Sequence, residues 1–277
     1  MEILRYRSFT TPDGDPTSGN PAGVVMHAEG LTDAQMVEIA ADLGYSETAF
    51  LTAITASTAR VRFFTPRAEI AFCGHATIAS GVALARAGAD RVIVLTTNAG
   101  EVPVEAGPER ATLTAVETTV HTLAGPLLDE LLAALGLDHA DLDPALPPAF
   151  IRGGNPAPLV CVQEGVLPRL SHDPAAVLAL QDREGWDGTT PVVCRIDTTR
   201  FASRNPFPRG GIYEDPATGS AAASLGAYLR AGGHVETPTT VIVDQGAEVG
   251  RPSRLVVDIP ARGRIRVTGT ADVVTTA

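Results

Sequence analysis

The chain contains no lysine; all 21 of its basic residues are arginines. A lysine Schiff base is therefore excluded, and with it ordinary pyridoxal-phosphate and lysine-aldolase chemistry. The phosphate-binding lysine of a Walker A loop is excluded as well. Cysteine is scarce, and Cys73, Cys161 and Cys194 stand far apart. Neither a disulfide framework nor a zinc pattern can be read from them, and a reducing compartment is expected. The six histidines show no HxH or HExxH spacing, so no metal site is expected. No GxGxxG follows a strand-like run, so no dinucleotide cofactor is expected either. No apolar run approaches the ~18 residues of a membrane span. Residues Met1–Thr10 hold two arginines and no long apolar stretch, which argues against a signal peptide and for a cytoplasmic location. A formal charge of −11 disfavours nucleic acid and anionic membranes as partners.

At 277 residues and 44% apolar content, the chain has enough material for two ordinary domains with real cores. It also looks duplicated. Thr65-Pro66-Arg67 through Cys73-Gly74-His75-Ala76-Thr77 lies under Phe207-Pro208-Arg209 through Asp215-Pro216-Ala217-Thr218-Gly219 at a spacing of 142 residues, which places Cys73 on Asp215. Gly153-Gly154-Asn155-Pro156-Ala157 echoes Ser18-Gly19-Asn20-Pro21-Ala22, and the matching offsets drift between 135 and 147. A period this long means two copies of a domain rather than a solenoid. The expected halves are 1–118, which the terminal strand 264–277 is free to join, and 119–263. Leu142–Ala149 reads as a linker.

Thr32 and Gly44 bound a predicted helix through Met36, Ile39, Ala40 and Leu43. Ala76–Ala87 and Ser220–Arg230 are helices apolar nearly all round, the mark of a helix buried on all sides. With alternating strands about them, they predict a sheet wrapped around a central helix in each half. The loops Thr11–Thr17 and Arg200–Pro208 are expected to set specificity.

Two features point to chemistry. Gly74-His75-Ala76 and Thr218-Gly219-Ser220 put small residues at helix starts, where unpaired N–H groups and a partial positive charge can hold an anion. An ordinary helix cap would use the same residue types; two matched starts beside Cys, His, Glu and Asp favour an anion site, in a cleft if the halves face each other. Titratable groups stand close to both starts. His75 is of the type that exchanges protons near neutrality. Asp215 is the acid of the second copy, with Glu214 expected to face solvent. Glu47, at the start of an apolar strand, is placed for a raised pKa if its surroundings are dry. Cys73 is either a small buried residue or a thiol base.

Taken together, Gly19-Asn20-Pro21-Ala22-Gly23, Ser46-Glu47-Thr48-Ala49-Phe50, Phe64-Thr65-Pro66, Cys73-Gly74-His75-Ala76-Thr77 and Glu214-Asp215-Pro216-Ala217-Thr218-Gly219-Ser220-Ala221 resemble the PhzF-like phenazine-biosynthesis family of isomerases. The resemblance implies an α+β, diaminopimelate epimerase-like fold: two similar domains, each a curved, mostly antiparallel sheet around a central helix. It implies a cofactor-free isomerase, commonly homodimeric, that moves a proton on a small carboxylate. It implies Glu47 as the proton carrier, with His75 and Asp215 as catalytic partners. Asn20, Gly74, Ala76, Thr218, Gly219 and Ser220 would bind substrate. Epimerases and racemases of the same superfamily use one cysteine per half, whereas here Asp215 takes the second place. Amino-acid epimerisation through Cys73 and a non-catalytic binding module remain the alternatives.

Overall fold

A computed structural model describes residues 2–153 and 155–274. The chain forms two compact units, one of Met1–Ala115 with Arg266–Ala277 and one of Val116–Ile265. Residues 275–277 of the terminal segment and Gly154 of the second Gly-Asn-Pro-Ala run lie outside the described residues.

In chain order the first unit holds β1 (Glu2–Ser8), β2 (Asn20–Met26), α1 (Asp33–Leu43), β3 (Glu47–Thr52), β4 (Thr58–Phe64), β5 (Glu69–Ile70), α2 (Gly74–Arg86), β6 (Val92–Thr97), β7 (Gly100–Ala106) and β8 (Arg110–Thr114). The second holds β9 (Thr119–Thr122), α3 (Pro126–Leu135), β10 (Ala149–Arg152), β11 (Ala157–Val162), α4 (Pro174–Glu184), β12 (Val192–Arg195), β13 (Arg200–Arg204), α5 (Gly219–Ala231), β14 (Thr239–Gln245) and β15 (Ser253–Ile259). The last strand, β16 (Arg266–Val273), belongs to the first unit.

In the first unit the strands run β1-β2-β3-β4-β6-β7-β8-β16, and β16 pairs back onto β1 through Tyr6↔Val273 and Ser8↔Ala271. The ring is closed, which removes the free sheet edges that invite aggregation. In the second unit the order is β15-β14-β13-β12-β11-β10-β9. Both units share one pattern: parallel, antiparallel, parallel, antiparallel. It runs through β2/β3, β3/β4, β4/β6 and β6/β7 in the first, and through β11/β12, β12/β13, β13/β14 and β14/β15 in the second.

The central helices match in detail. Every residue of α2 from His75 to Leu84 is buried, as is every residue of α5 from Ala221 to Leu229. Each carries a glycine as its eighth residue. A Cβ on Gly81 would stand 2.9 Å from Val104 and 3.0 Å from Ala111, and one on Gly226 would stand 2.9 Å from Val257 and 3.0 Å from Ile265. The helices lie so close to their sheets that only a hydrogen fits there. The peripheral helix α1 is bounded as its sequence predicts, by a Thr32–Gln35 capping box and a left-handed Gly44. It packs Met36 and Ala40 against Phe50 and Phe64.

Three expectations require correction. Residues 200–204 are not loop but strand β13, held between β12 and β14 with Phe201, Ser203 and Arg204 buried. Helix α3 was not foreseen; its Leu128, Leu131, Leu132 and Leu135 join α4, Trp186 and the β11/β12 strands in the second unit's main core. The register of the duplication also changes. Arg62 and Arg204 correspond at a spacing of 142, as do Phe64 and Pro206, but Glu69 and Glu214 correspond at 145: Phe64 pairs Glu69, and Pro206 bridges Glu214. Both central helices then start at the spacing of 145, with Gly74 and Gly219. Three extra residues in the second loop shift the frame. The residue equivalent to Cys73 is therefore Thr218, not Asp215, and the equivalent of His75 is Ser220.

Candidate active site

In the first unit Asn20, Glu47, Cys73 and His75 converge. Asn20 begins β2, directly opposite Ser8 of β1. Glu47 begins β3 and lies in register with Ala22, so two neighbouring parallel strands deliver both side chains at one end of the sheet. Cys73 is the residue before α2, with extended backbone (φ −139, ψ 119), and His75 is the second residue of the helix. All four are buried, with Glu47 5% and His75 3% exposed.

The imidazole is held from several sides. Asn20 Nδ2 stands 3.2 Å and Cys73 Sγ 3.3 Å from its Nδ1. Its Nε2 lies 3.4 Å from Glu47 Oε2, which finds no well-formed hydrogen bond among the described residues. Ser8 Oγ donates to the His75 carbonyl at 2.8 Å, anchoring the first turn of α2 to β1. Burial pushes the Glu47 carboxyl up to about 7, against a smaller opposing influence of the neighbouring Ser46 side chain. A carboxyl balanced near neutrality can both take and return a proton.

In the second unit Asp215, Thr218, Gly219 and Ser220 form the counterpart. Thr218 Oγ1 donates to Asp215 Oδ2 at 2.6 Å. Gln245, buried at the end of β14, accepts from Thr218 N at 3.1 Å through Oε1 and donates to the Asp215 carbonyl at 2.6 Å through Nε2. Asp215 N donates in turn to the Asn205 carbonyl at 3.0 Å. Ser220 lines a small, partly open recess together with Asn155, Thr189 and Ser224. Asn155 is the repeat partner of Asn20, so an Asn stands near the helix start in both units.

Neither helix start is capped by the side chain before it. Cys73 and Thr218 make no bond to the first-turn N–H groups. Gly74 and Ala76 in α2, and Gly219 in α5, keep the backbone there uncluttered.

Glu214 does not face solvent. It is 5% exposed and forked by Arg204, with Nε–Oε2 at 3.1 Å and Nη2–Oε1 at 2.5 Å. Arg204 also donates to the carbonyls of Leu167 and Leu170. The first unit repeats the device in Arg62 and Glu69, joined by two contacts of 2.7 Å. Sequence reasoning missed Gln245 and both Arg–Glu forks. The paired Arg…Glu spacing, seven residues in one copy and ten in the other, was the available signal.

Residues 6–277 match the model of the phenazine biosynthesis-like proteins, PhzC-PhzF. The chain belongs to that family. It is 36% identical over 236 residues to an uncharacterized isomerase, YddE, of Salmonella typhimurium, covering 82% of this chain and 78% of the relative. It is 30% identical over 264 residues to the trans-2,3-dihydro-3-hydroxyanthranilate isomerase of Pseudomonas chlororaphis, covering 92% and 91%. Among solved structures, the PhzF-family phenazine biosynthesis protein of Bacillus anthracis superposes with a TM-score of 0.83 at 28% identity, covering 99% of this chain and 98% of that one. Its named relatives make this PhzF-family chain an isomerase. Among the described residues, no helix is long and apolar enough to cross a membrane.

Proposed function

We propose that the chain is a cofactor-independent isomerase that moves a proton between two carbons of a small unsaturated carboxylate, with Glu47 as the carrier. The observation that carries this reading is the buried Glu47 carboxyl, 3.4 Å from the His75 imidazole and pushed up to about 7 by burial. Glu47 removes a proton next to the conjugated system. The α2 start holds the substrate carboxylate, and its N–H groups stabilise the charge as it spreads. Protonated Glu47 then returns the proton at a second carbon. His75 and Asp215 orient the substrate and assist the transfer. Asn20 fixes the imidazole, and Thr218 and Ser220 bind substrate. The named activity of the Pseudomonas relative makes trans-2,3-dihydro-3-hydroxyanthranilate the first compound to try.

The test is incubation of that compound, and of a panel of small unsaturated and amino carboxylates, in D₂O. Deuterium appearing at carbon in the wild type, and not with Glu47→Gln, supports the reading. Equal exchange by the variant removes Glu47 from the role.

The 3.3 Å contact between Cys73 Sγ and His75 Nδ1 favours a second reading, amino-acid epimerisation with the thiol as one acid/base. Cys73→Ala with unaltered exchange rules it out.

A further inference from the structure

The sequence spacing of His, Cys and Glu argues against a metal site, yet the fold assembles one set of donors. Ligand atoms of Glu47, Cys73 and His75 all lie within 4.8 Å of one another, and all three residues are buried. Tetrahedral zinc, with bonds of about 2.0–2.3 Å, places neighbouring ligand atoms roughly 3.3–3.6 Å apart. Here His75 Nε2 stands 3.4 Å from Glu47 Oε2 and 3.9 Å from Cys73 Sγ, and no pair of the three exceeds 4.8 Å, so closure onto an ion needs side-chain shifts on the order of 1 Å. Asn20 at His75 Nδ1 supplies the outer-sphere amide that fixes the ring of a metal-bound histidine, and turning the amide lets its oxygen accept from Nδ1–H.

We propose that Glu47, Cys73 and His75 form a three-ligand site for one zinc-like divalent cation, and that its occupancy disables Glu47 as proton carrier. The second half of this statement rests on the isomerase reading, whereas the first does not.

Charge and donor type both select the ion. A thiolate and a carboxylate neutralise a divalent cation, so the occupied site is neutral and its burial is tolerable. The partial positive charge of the α2 start opposes the cation, but it is about half a unit against two full negative charges, and it favours the thiolate. Sulfur, nitrogen and a single carboxylate suit zinc or cobalt and disfavour magnesium and calcium. Binding releases the thiol proton and any proton on Glu47, so it tightens as pH rises.

The experiment titrates Co²⁺ into the folded protein and follows sulfur-to-metal charge transfer and tetrahedral d–d bands. The expected result is saturation at one equivalent and displacement by Zn²⁺. The charge-transfer band should vanish in Cys73→Ser and persist in Cys161→Ser/Cys194→Ser. Asn20→Ala should weaken binding by roughly 10–100-fold. Absence of a thiolate band in folded wild type, or a band that survives Cys73→Ser, overturns the site. Because no readout uses the reaction, its failure is separate from failure of the isomerase reading, which Glu47→Gln exchange tests. Saturating Zn²⁺ that leaves wild-type exchange unchanged overturns the claimed inhibition.

Discussion

The two Arg–Glu forks are the same device in different surroundings. Arg62 and Glu69 keep side-chain exposures of 23% and 25%, whereas Arg204 and Glu214 keep 7% and 2%. The first fork joins β4 to the short β5 and also engages Asp33 and Asn98. The second is buried, with Arg204 also bonded to the Leu167 and Leu170 carbonyls, and its Glu214 is next in sequence to Asp215. The pair occurs in both units, and burial sets the two apart. A partly exposed pair adds little to stability, while a buried one becomes a requirement once formed, because a lone buried charge has no good alternative.

The acidic groups at the two helix starts diverge in the opposite sense. Asp215 is fixed by Thr218 and its backbone is braced by Gln245, as suits a carboxylate that holds and orients. Glu47 is buried, with Oε2 at 3.4 Å from imidazole and without a well-formed hydrogen bond on that oxygen among the described residues, as suits one that gains and loses a proton. The unit with the looser fork carries the poised acid, and the unit with the buried fork carries the fixed one.

The comparison can be broken most readily by kinetics. Glu47→Gln is expected to lower kcat by roughly 10²–10⁴-fold. Asp215→Asn is expected to act chiefly on KM, by about tenfold, the value of one hydrogen bond. Steady-state rates that show the reverse split would exchange the two roles. Next in size is the buried fork: Arg204→Ala should cost about 3–5 kcal/mol in denaturant unfolding, by stranding Glu214. The tight helix–sheet approach comes third, with Gly81→Val or Gly226→Val losing about 1–3 kcal/mol to overpacking. Smallest is Arg62→Ala, at about 1 kcal/mol or less in the same unfolding assay. Equal losses for Arg62→Ala and Arg204→Ala would show that burial does not distinguish the forks.

Much of this was legible in the sequence because it is local or periodic. The Thr32 cap, the left-handed Gly44 and the all-apolar central helices follow from short-range chemistry. Glu47, His75 and Asp215 came from recognisable runs of residues. What stayed hidden depends on pairing at a distance. Glu214 and Asp215 are adjacent carboxylates, and nothing local says which turns inward; Arg204, ten residues earlier, decides it. Gln245 acts on Asp215 from thirty residues away. The three-residue lengthening of one loop misaligned Cys73 with Asp215, since ungapped comparison cannot see which side of the loop an offset belongs to. Helix α3 was missed because it has no counterpart in the first copy, where the repeat directed attention.

The central claim is that Glu47 is held dry and ready to change protonation state. Burial raises its carboxyl from the ordinary 4.5 to about 7, so the folded state binds a proton that the unfolded state has released between those values. Folding stability from this group is therefore fully present below about pH 4.5 and is lost as pH rises to about 7, on the order of 3 kcal/mol in all. Glu47→Gln should remove that loss and be relatively more stable at pH 8 than at pH 5. Carbon-13 NMR of glutamate-labelled protein, with Glu47→Gln assigning the resonance, measures the titration directly. A Glu47 midpoint near 7 is the predicted result; a midpoint near 4.5 would show a solvated carboxylate and contradict the account.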